Sequence, residues 1–454
     1  TQLESDLDPA QVLYFKRYAE FLQEGDRVIV ATPEPSWIEA GRNGKKSTSE
    51  AHRIAEERTS RAHSNMLLLV KYILGRGATI PVCIAGDSHH YARYEGQGED
   101  GKYHLITCGG GGAFLHGTFG LPKTLELKRF AGLDFDRKKE VPKPEQSEKM
   151  CGSVFLKLLP KNPGFAVAMG VIYLIYSWFL QAASETLDTL EWNKPASTLF
   201  AYLRADHCIS WKPWALPDID WQNFFSQRTP CSKVFWAWGD IVLRDPVVFL
   251  FSAAIIFGCV KFAVASKRKG AGRLITAGTA VAGFLHGIAH IALALVLIKF
   301  AAFYIPWDLA VYPAVVLIGA FPGSLLFALY LWLAHKTIGA HDQEVLSTQA
   351  IEKYKCFARF HVNKDKMTIY PIGLEEVCRR WKVANGVEEI EPNKVYRFPL
   401  SRRREYTLKV PPDTKRIFDP AEPLTPQQKP RLMEKPIELL PPRAGEGGRA
   451  VGRG

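Results

Sequence analysis

Along most of residues 165 to 334 apolar positions run in long blocks, whereas residues 1 to 160 and 335 to 454 mix apolar and charged positions. A bilayer crossing needs about 20 mostly apolar residues. Four segments meet that need, at about 165–183, 247–266, 274–300 and 309–334. The pattern therefore predicts four transmembrane helices with a long loop, 184–246, between the first and second.

Shorter periods mark the flanks. "PAQVLYFKRYAEFLQE" repeats apolar residues at helical spacing and stops at Gly25. "DRVIVAT", "TIPVCIAG" and "YHLITCGGGG" read as buried strands, and "STSEAHRIAEERTSRAHSNMLLLVKYILGRG" as a helix. Strands alternating with helices predict a layered α/β domain over residues 1–133, with groups for chemistry presented just beyond the strand ends. Residues 134–164, rich in Lys, Glu and Pro, read as a linker. After the fourth span "KCFARFHVNKDKMTIYPIGL" alternates on both sides of "NKDK", as a β-hairpin does, giving a small β-rich segment over 335–410. Residues 411–454 are rich in Pro, Arg, Glu and Gly and are expected to be disordered.

Charge sets an expected orientation. "SKRKGAGR" (266–273) packs four basic residues between the second and third spans, which places that loop in the cytoplasm. Lys157, Lys161 and Lys336 then fall on the same side, so both polar ends are expected to be cytoplasmic and the 184–246 loop to face outward. The net charge of +12 follows the same rule. It does not form an aromatic-interleaved basic stripe, so nucleic acid is not expected as a partner. The partner expected from the spans is the bilayer.

Cysteines sort by the same compartments. Cys83, Cys108, Cys151, Cys356 and Cys378 are expected as free thiols, Cys259 lies within the second span, and Cys208 and Cys231 form the pair that could bridge in the outer loop. The outer-loop tryptophans 192, 211, 214, 221, 236 and 238 suit anchoring at the membrane interface. In the third span "GFLHGIAH" sets His286 and His290 one helical turn apart beside Gly283 and Gly287. Close helix packing with bonded histidines is the favoured reading, and a metal, haem or proton-path role the alternative. Pro322-Gly323 predicts a kink in the fourth span.

The candidate chemistry lies in "CIAGDSHHYARYEG" (83–96) and "LITCGGGGAFLHGTFG" (105–120). Asp87 and His89 are two apart in a turn after a buried strand, so both can face one cavity, while His90 points elsewhere. His116 approaches from the neighbouring loop if the two strands lie side by side. Taken alone, these residues suit a metal or phosphate site and suit a structural turn equally well.

"GDSHHYARY" resembles the Gly-His-x-His metal motif of the calcineurin-like metallophosphoesterases, with Asp87 in place of the first His and His89 keeping its type. "GDRVIVATPEPSW" is similar to the strand ending in that family's His-x-Pro motif, and "TCGGGGAFLHGT" to its glycine-rich segment. "HDQEVLSTQAIEKYKCFARFHV" and "MTIYPIGLEEVCRRW" resemble the C-terminal part of membrane-attached members. The resemblance covers residues 1 to about 130 and 335 to about 385. It implies hydrolysis of a phosphate mono- or diester on two divalent ions, Mn, Fe, Zn or Mg. Asp87 and His89 would be ligands, Glu34 a substitute ligand beside Pro33, and His90 and His116 catalytic or supporting groups. The family's Asp-x-His, Gly-Asp-x-x-Asp and Gly-Asn-His-Asp segments do not occur before residue 83, and the chain begins with Thr1. The resemblance thus covers only the second half of such a domain: an extension of the native chain carrying those segments would restore a full dinuclear site, and a native chain starting near Thr1 would leave too few ligands for two metals. The rival reading is a catalytically degenerate membrane scaffold or ligand-binding protein on the same fold.

Overall fold

The computed structural model describes residues 9–38, 68–98, 101–127, 133–186, 199–204, 231–266, 273–363, 366–398, 401–411, 414 and 416–439. The chain divides into two compact units, residues 1–150 with 350–454, and residues 151–349.

The first unit is built on a six-stranded mixed sheet ordered β1-β2-β4-β3-β6-β5. Its strands are β1 (Arg27–Thr32), β2 (Thr79–Ala85), β3 (Tyr91–Gly98), β4 (Gly101–Cys108), β5 (Thr124–Leu127) and β6 (Leu133–Val141). β1, β2 and β4 run parallel, while β3 lies antiparallel between β4 and β6. β2 is buried along most of its length, in keeping with a near-continuous apolar run inside a parallel pair. Alternation in β3 and β4 sends Ala92, Tyr94 and Leu105 to one face and Tyr91 and Ile106 to the other. Trp37, fully buried, covers the first face with Val70 and Ile73 of a helix over 68–74. The second face packs on Cys356, Ile369, Ile437 and Leu439.

Those covering residues belong to a second sheet. β7 (Lys355–Val362) and β8 (Met367–Leu374) form the expected hairpin. β13 (Arg431–Leu432) and β14 (Ile437–Leu439) add to β8. Two further pairs are β9 (Trp381–Val383) with β12 (Phe418–Pro420), and β10 (Glu388–Phe398) with β11 (Ser401–Lys409).

Two expectations are corrected here. Residues 134–164 are not a linker: they hold β6 and the helices Pro144–Cys151 and Val154–Lys161. In β6 the charged residues 134 and 136–140 mask a strand that still buries Phe135. Within the tail expected to be disordered, residues 418–439 are ordered. Arg93 of β3 grips Glu434 with both carboxylate oxygens, Nε at 2.9 and 3.0 Å and Nη2 at 2.7 Å, and the Tyr91 hydroxyl donates to the same carboxylate at 2.5 Å. Composition alone underrates a segment that is tied down by a paired charge and two buried apolar residues, Ile437 and Leu439.

Among the described residues, the second unit contains four helices long and apolar enough to cross a membrane: Pro163–Thr186, Pro246–Ala265, Arg273–Tyr304 and Asp308–Ile338, hereafter the first to fourth spans. The second starts where Asp245 caps the Val248 N–H at 2.8 Å with Pro246 at the first helical position. The fourth ends at Gly339 in the left-handed conformation, φ 61°. Gly283 and Gly287 of the third span abut the second span, where a Cβ on either would come within 2.8 Å of backbone atoms of residues 256 to 260. Small residues here allow the close approach expected from their spacing. The fourth span runs as one helix through Pro313 and Pro322. Trp238 donates to the Tyr176 hydroxyl at 2.6 Å, which in turn meets Ser252 at 2.8 Å, so it bonds within the helix bundle. Trp192, Trp211, Trp214, Trp221, Cys208 and the basic residues 267–269 lie outside the described residues, as do the side chains of Trp236 and Cys231.

Candidate functional site

Three parallel strands end at one level: Thr32 pairs with Ala85, and Ala85 with Thr107. The loops that follow all leave the carboxyl edge of the sheet, where open α/β sheets place ligands. The main chain locks them together. The Pro33 carbonyl accepts from Gly86 N at 3.1 Å and Asp87 N at 2.8 Å, and Gly109 N donates to the His90 carbonyl at 3.1 Å. Gly109 is packed so tightly that a Cβ would stand 2.1 Å from the Gly86 oxygen. Only a residue without a side chain fits there.

This closeness brings His89 and His116 into contact. Their rings stack at 4.5 Å and 18°. His89 N donates to His116 Nδ1 at 3.2 Å, and His116 N donates back to the His89 carbonyl at 3.4 Å. Phe114 meets the His89 ring edge-on at 4.9 Å, and Gly112 leaves room for the opposite edge, where a Cβ would lie 2.3 Å from Nε2. His89 Nδ1 is buried with no hydrogen-bond partner. Burying such a nitrogen unbonded costs about 1–3 kcal/mol.

Titration favours neutral imidazoles. Burial, reinforced by His89, lowers His116 to about 4, with Asp87 acting in the opposite sense. Burial lowers His90 to about 3, with His116 and His89 adding to the effect. Since Nδ1 of neutral His116 accepts from His89, its proton sits on Nε2, which is therefore a donor.

Each expected residue can now be placed. Asp87 is exposed at the tip of the turn, and His89 and His116 form the pair. His90 is buried, with neither ring nitrogen bonded. Glu34 is brought to the same edge through the main chain, where its carbonyl accepts from the Thr32 hydroxyl at 3.0 Å. Among the described residues, Glu34, Asp87, His89 and His116 do not gather three ligand atoms within 4.8 Å of one another.

The sequence reading missed what the second sheet adds. Lys355 donates its ammonium to the Gly112 carbonyl, and a Cβ on Gly110 would strike Cys356 N at 2.2 Å. Cys108 and Cys356 bring their sulfurs to 3.8 Å. Lys355 and Cys356 lie more than 240 residues from the glycine loop in sequence. The alternation that predicts the β7–β8 hairpin was the signal available for the strand holding both. No family model, no curated protein and no solved structure matches this chain.

Proposed function

We propose that the first unit is part of a calcineurin-like metallophosphoesterase domain, carried by four membrane spans, that hydrolyses a phosphate mono- or diester. The observation that carries this reading is the His89–His116 pair at the carboxyl edge of three parallel strands, with His89 Nδ1 buried and unpartnered. An orphaned imidazole nitrogen is a fitting metal ligand. Asp87 beside it offers a carboxylate suited to a hard divalent ion, and Glu34 stands on the adjoining loop. Two ions would need more donors than Glu34, Asp87, His89 and His116 bring together. When bound, divalent ions polarise the phosphoryl group and generate hydroxide from water.

This chain's own part would be to hold and orient. His116 Nε2–H would donate to a phosphoryl oxygen, its ring fixed by the bond that His89 N makes to Nδ1. His90, buried beneath the turn, supports that geometry and is not positioned to touch the substrate. The basic loop at 266–273 with Lys157, Lys161 and Lys336 would keep both polar ends in the cytoplasm.

Metal analysis of gently purified protein and manganese-dependent hydrolysis of bis(p-nitrophenyl) phosphate test the reading together. Bound Mn, Fe or Zn, with activity lost in a folded His89→Ala variant, is the expected result. Unchanged activity in that variant rejects the site. The exposure of Asp87, and the failure of Glu34, Asp87, His89 and His116 to bring three ligand atoms together, favour the rival reading, a scaffold on the same fold. Protein that holds no metal and shows no hydrolysis would establish it.

A further inference from the structure

A pair of thiols ties the two sheets of the first unit together. Strand alternation sends Cys108, the last residue of β4, to the same face as Ile106, and β7 brings Cys356 against that face. The sulfurs meet at 3.8 Å, with the Cys108 thiol donating to Cys356. Both are free thiols. They stand 248 residues apart in sequence, with all four spans between them.

Their surroundings make the two sulfurs chemically unequal. The bond from Cys108 holds the Cys356 thiol below its usual range; the Gly110 N–H and the Lys355 ammonium act in the same sense, and burial opposes them. That bond and burial raise the Cys108 thiol. A donor N–H and a cation beside one sulfur are what a reactive thiolate needs. Cys356 is 7% exposed, but Cys108 is only half-buried and opens the pair to small solutes. Cys356 also props the glycine loop. A Cβ on Gly110 would stand 2.2 Å from Cys356 N and 2.5 Å from its sulfur, and Gly112 packs on the His89 ring.

We propose that Cys108 and Cys356 form a reversible disulfide when exposed to hydrogen peroxide, and that closing it loosens the glycine loop. The Cys356 thiolate attacks a peroxide oxygen: a sulfur–oxygen bond forms, the O–O bond breaks, and the departing hydroxide takes a proton to become water. The Cys108 sulfur then attacks the sulfenic sulfur of Cys356. An S–S bond forms, the S–O bond breaks, and the second oxygen leaves as water. The two thiols lose two electrons, and peroxide gains them. Sulfurs in a disulfide lie about 2.05 Å apart, so the 3.8 Å contact leaves about 1.8 Å to close, a gap that modest rotation of both side chains covers. That rotation draws the Cys356 sulfur away from the Gly110 N–H and removes one bond from the loop that packs on His89.

The test treats the full chain in nanodiscs with hydrogen peroxide, then denatures and alkylates it. The link encloses a long stretch of chain, so the oxidised protein should run faster on a non-reducing gel, and dithiothreitol should restore its mobility. Peptide mapping should find Cys108 joined to Cys356, and Cys108→Ser or Cys356→Ser should each abolish the shift. Hydrogen exchange over residues 109–116 should rise about threefold or more on oxidation, the effect of losing one hydrogen bond, and should not rise in Cys108→Ser. Neither readout uses metal or hydrolysis, so both hold if the phosphoesterase reading fails. Peroxide that leaves the two cysteines of the unmodified protein unlinked, or that joins Cys356 to a different cysteine, overturns the proposal. A disulfide formed with unchanged exchange over 109–116 overturns its effect on the loop.

Discussion

His89 and His116 hold each other by two main-chain contacts and a face-to-face stack, with ring centroids 4.5 Å apart. Twenty-seven residues separate them in sequence, yet each sets the other's position. The bond to Nδ1 decides which nitrogen of His116 carries the proton, and so decides that the outward Nε2 donates.

Replacing His116 by Phe keeps an aromatic stack but removes the acceptor for His89 N. The expected loss is about 1–3 kcal/mol of stability, seen as a lowered urea midpoint with an unchanged denaturant slope. His116→Asn, which retains an acceptor, should recover part of it. Equal stability in all three proteins would mean that the contact does not order the turn.

The buried histidines predict an acid limit. His90, His104 and His116 are lowered to about 3, 4 and 4, in each case mainly by burial. An unfolded histidine titrates near 6.5. Below that pH the unfolded chain binds protons that the folded chain refuses, so stability is complete above about pH 6.5 and falls as pH drops toward 4. Each histidine contributes up to about 1.4 kcal/mol per pH unit, and less for His116, which keeps some solvent contact. Urea titrations of metal-free protein at pH 7, 6 and 5 should show this decline, and His104→Phe should flatten it.

Two glycines of the same loop should behave oppositely. A Cβ at Gly109 would meet the backbone of Gly86 and Ser88 at 2.1 and 2.3 Å, whereas one at Gly111 meets nothing within 4 Å. Gly109→Ala should therefore cost about 1–3 kcal/mol by overpacking and disturb the turn that presents His89. Gly111→Ala should be close to neutral. Thermal melts of the two variants make the comparison, and equal losses would contradict the packing described for Gly109.

Glu434 provides a test of the ordered tail. Its carboxylate is 12% exposed and paired with Arg93, 11% exposed. Removing Glu434 leaves Arg93 paired with Glu95 alone, at 2.8 Å, so Glu434→Ala should destabilise the unit by about 1–3 kcal/mol. Limited proteolysis should then cut residues 418–439 faster than in the parent. A fully exposed pair would contribute far less, and an unaltered digestion rate would place Glu434 in that class.

Local pattern in the sequence was enough to locate the four long helices, strands β1, β2 and β4 and the β7–β8 hairpin, because hydrophobic period and run length are properties of neighbouring residues. It also singled out Asp87, His89, His90 and His116 as the residues capable of chemistry. Only the tertiary structure decided that β2 and β4 lie side by side, which turns His89 and His116 from two histidines into a stacked pair. It decided too that Glu434 orders the tail and that Lys355 and Cys356 close on the glycine loop. Each of these depends on contacts between residues far apart in the chain, and such contacts are set by how whole faces pack, a matter on which local periodicity is silent.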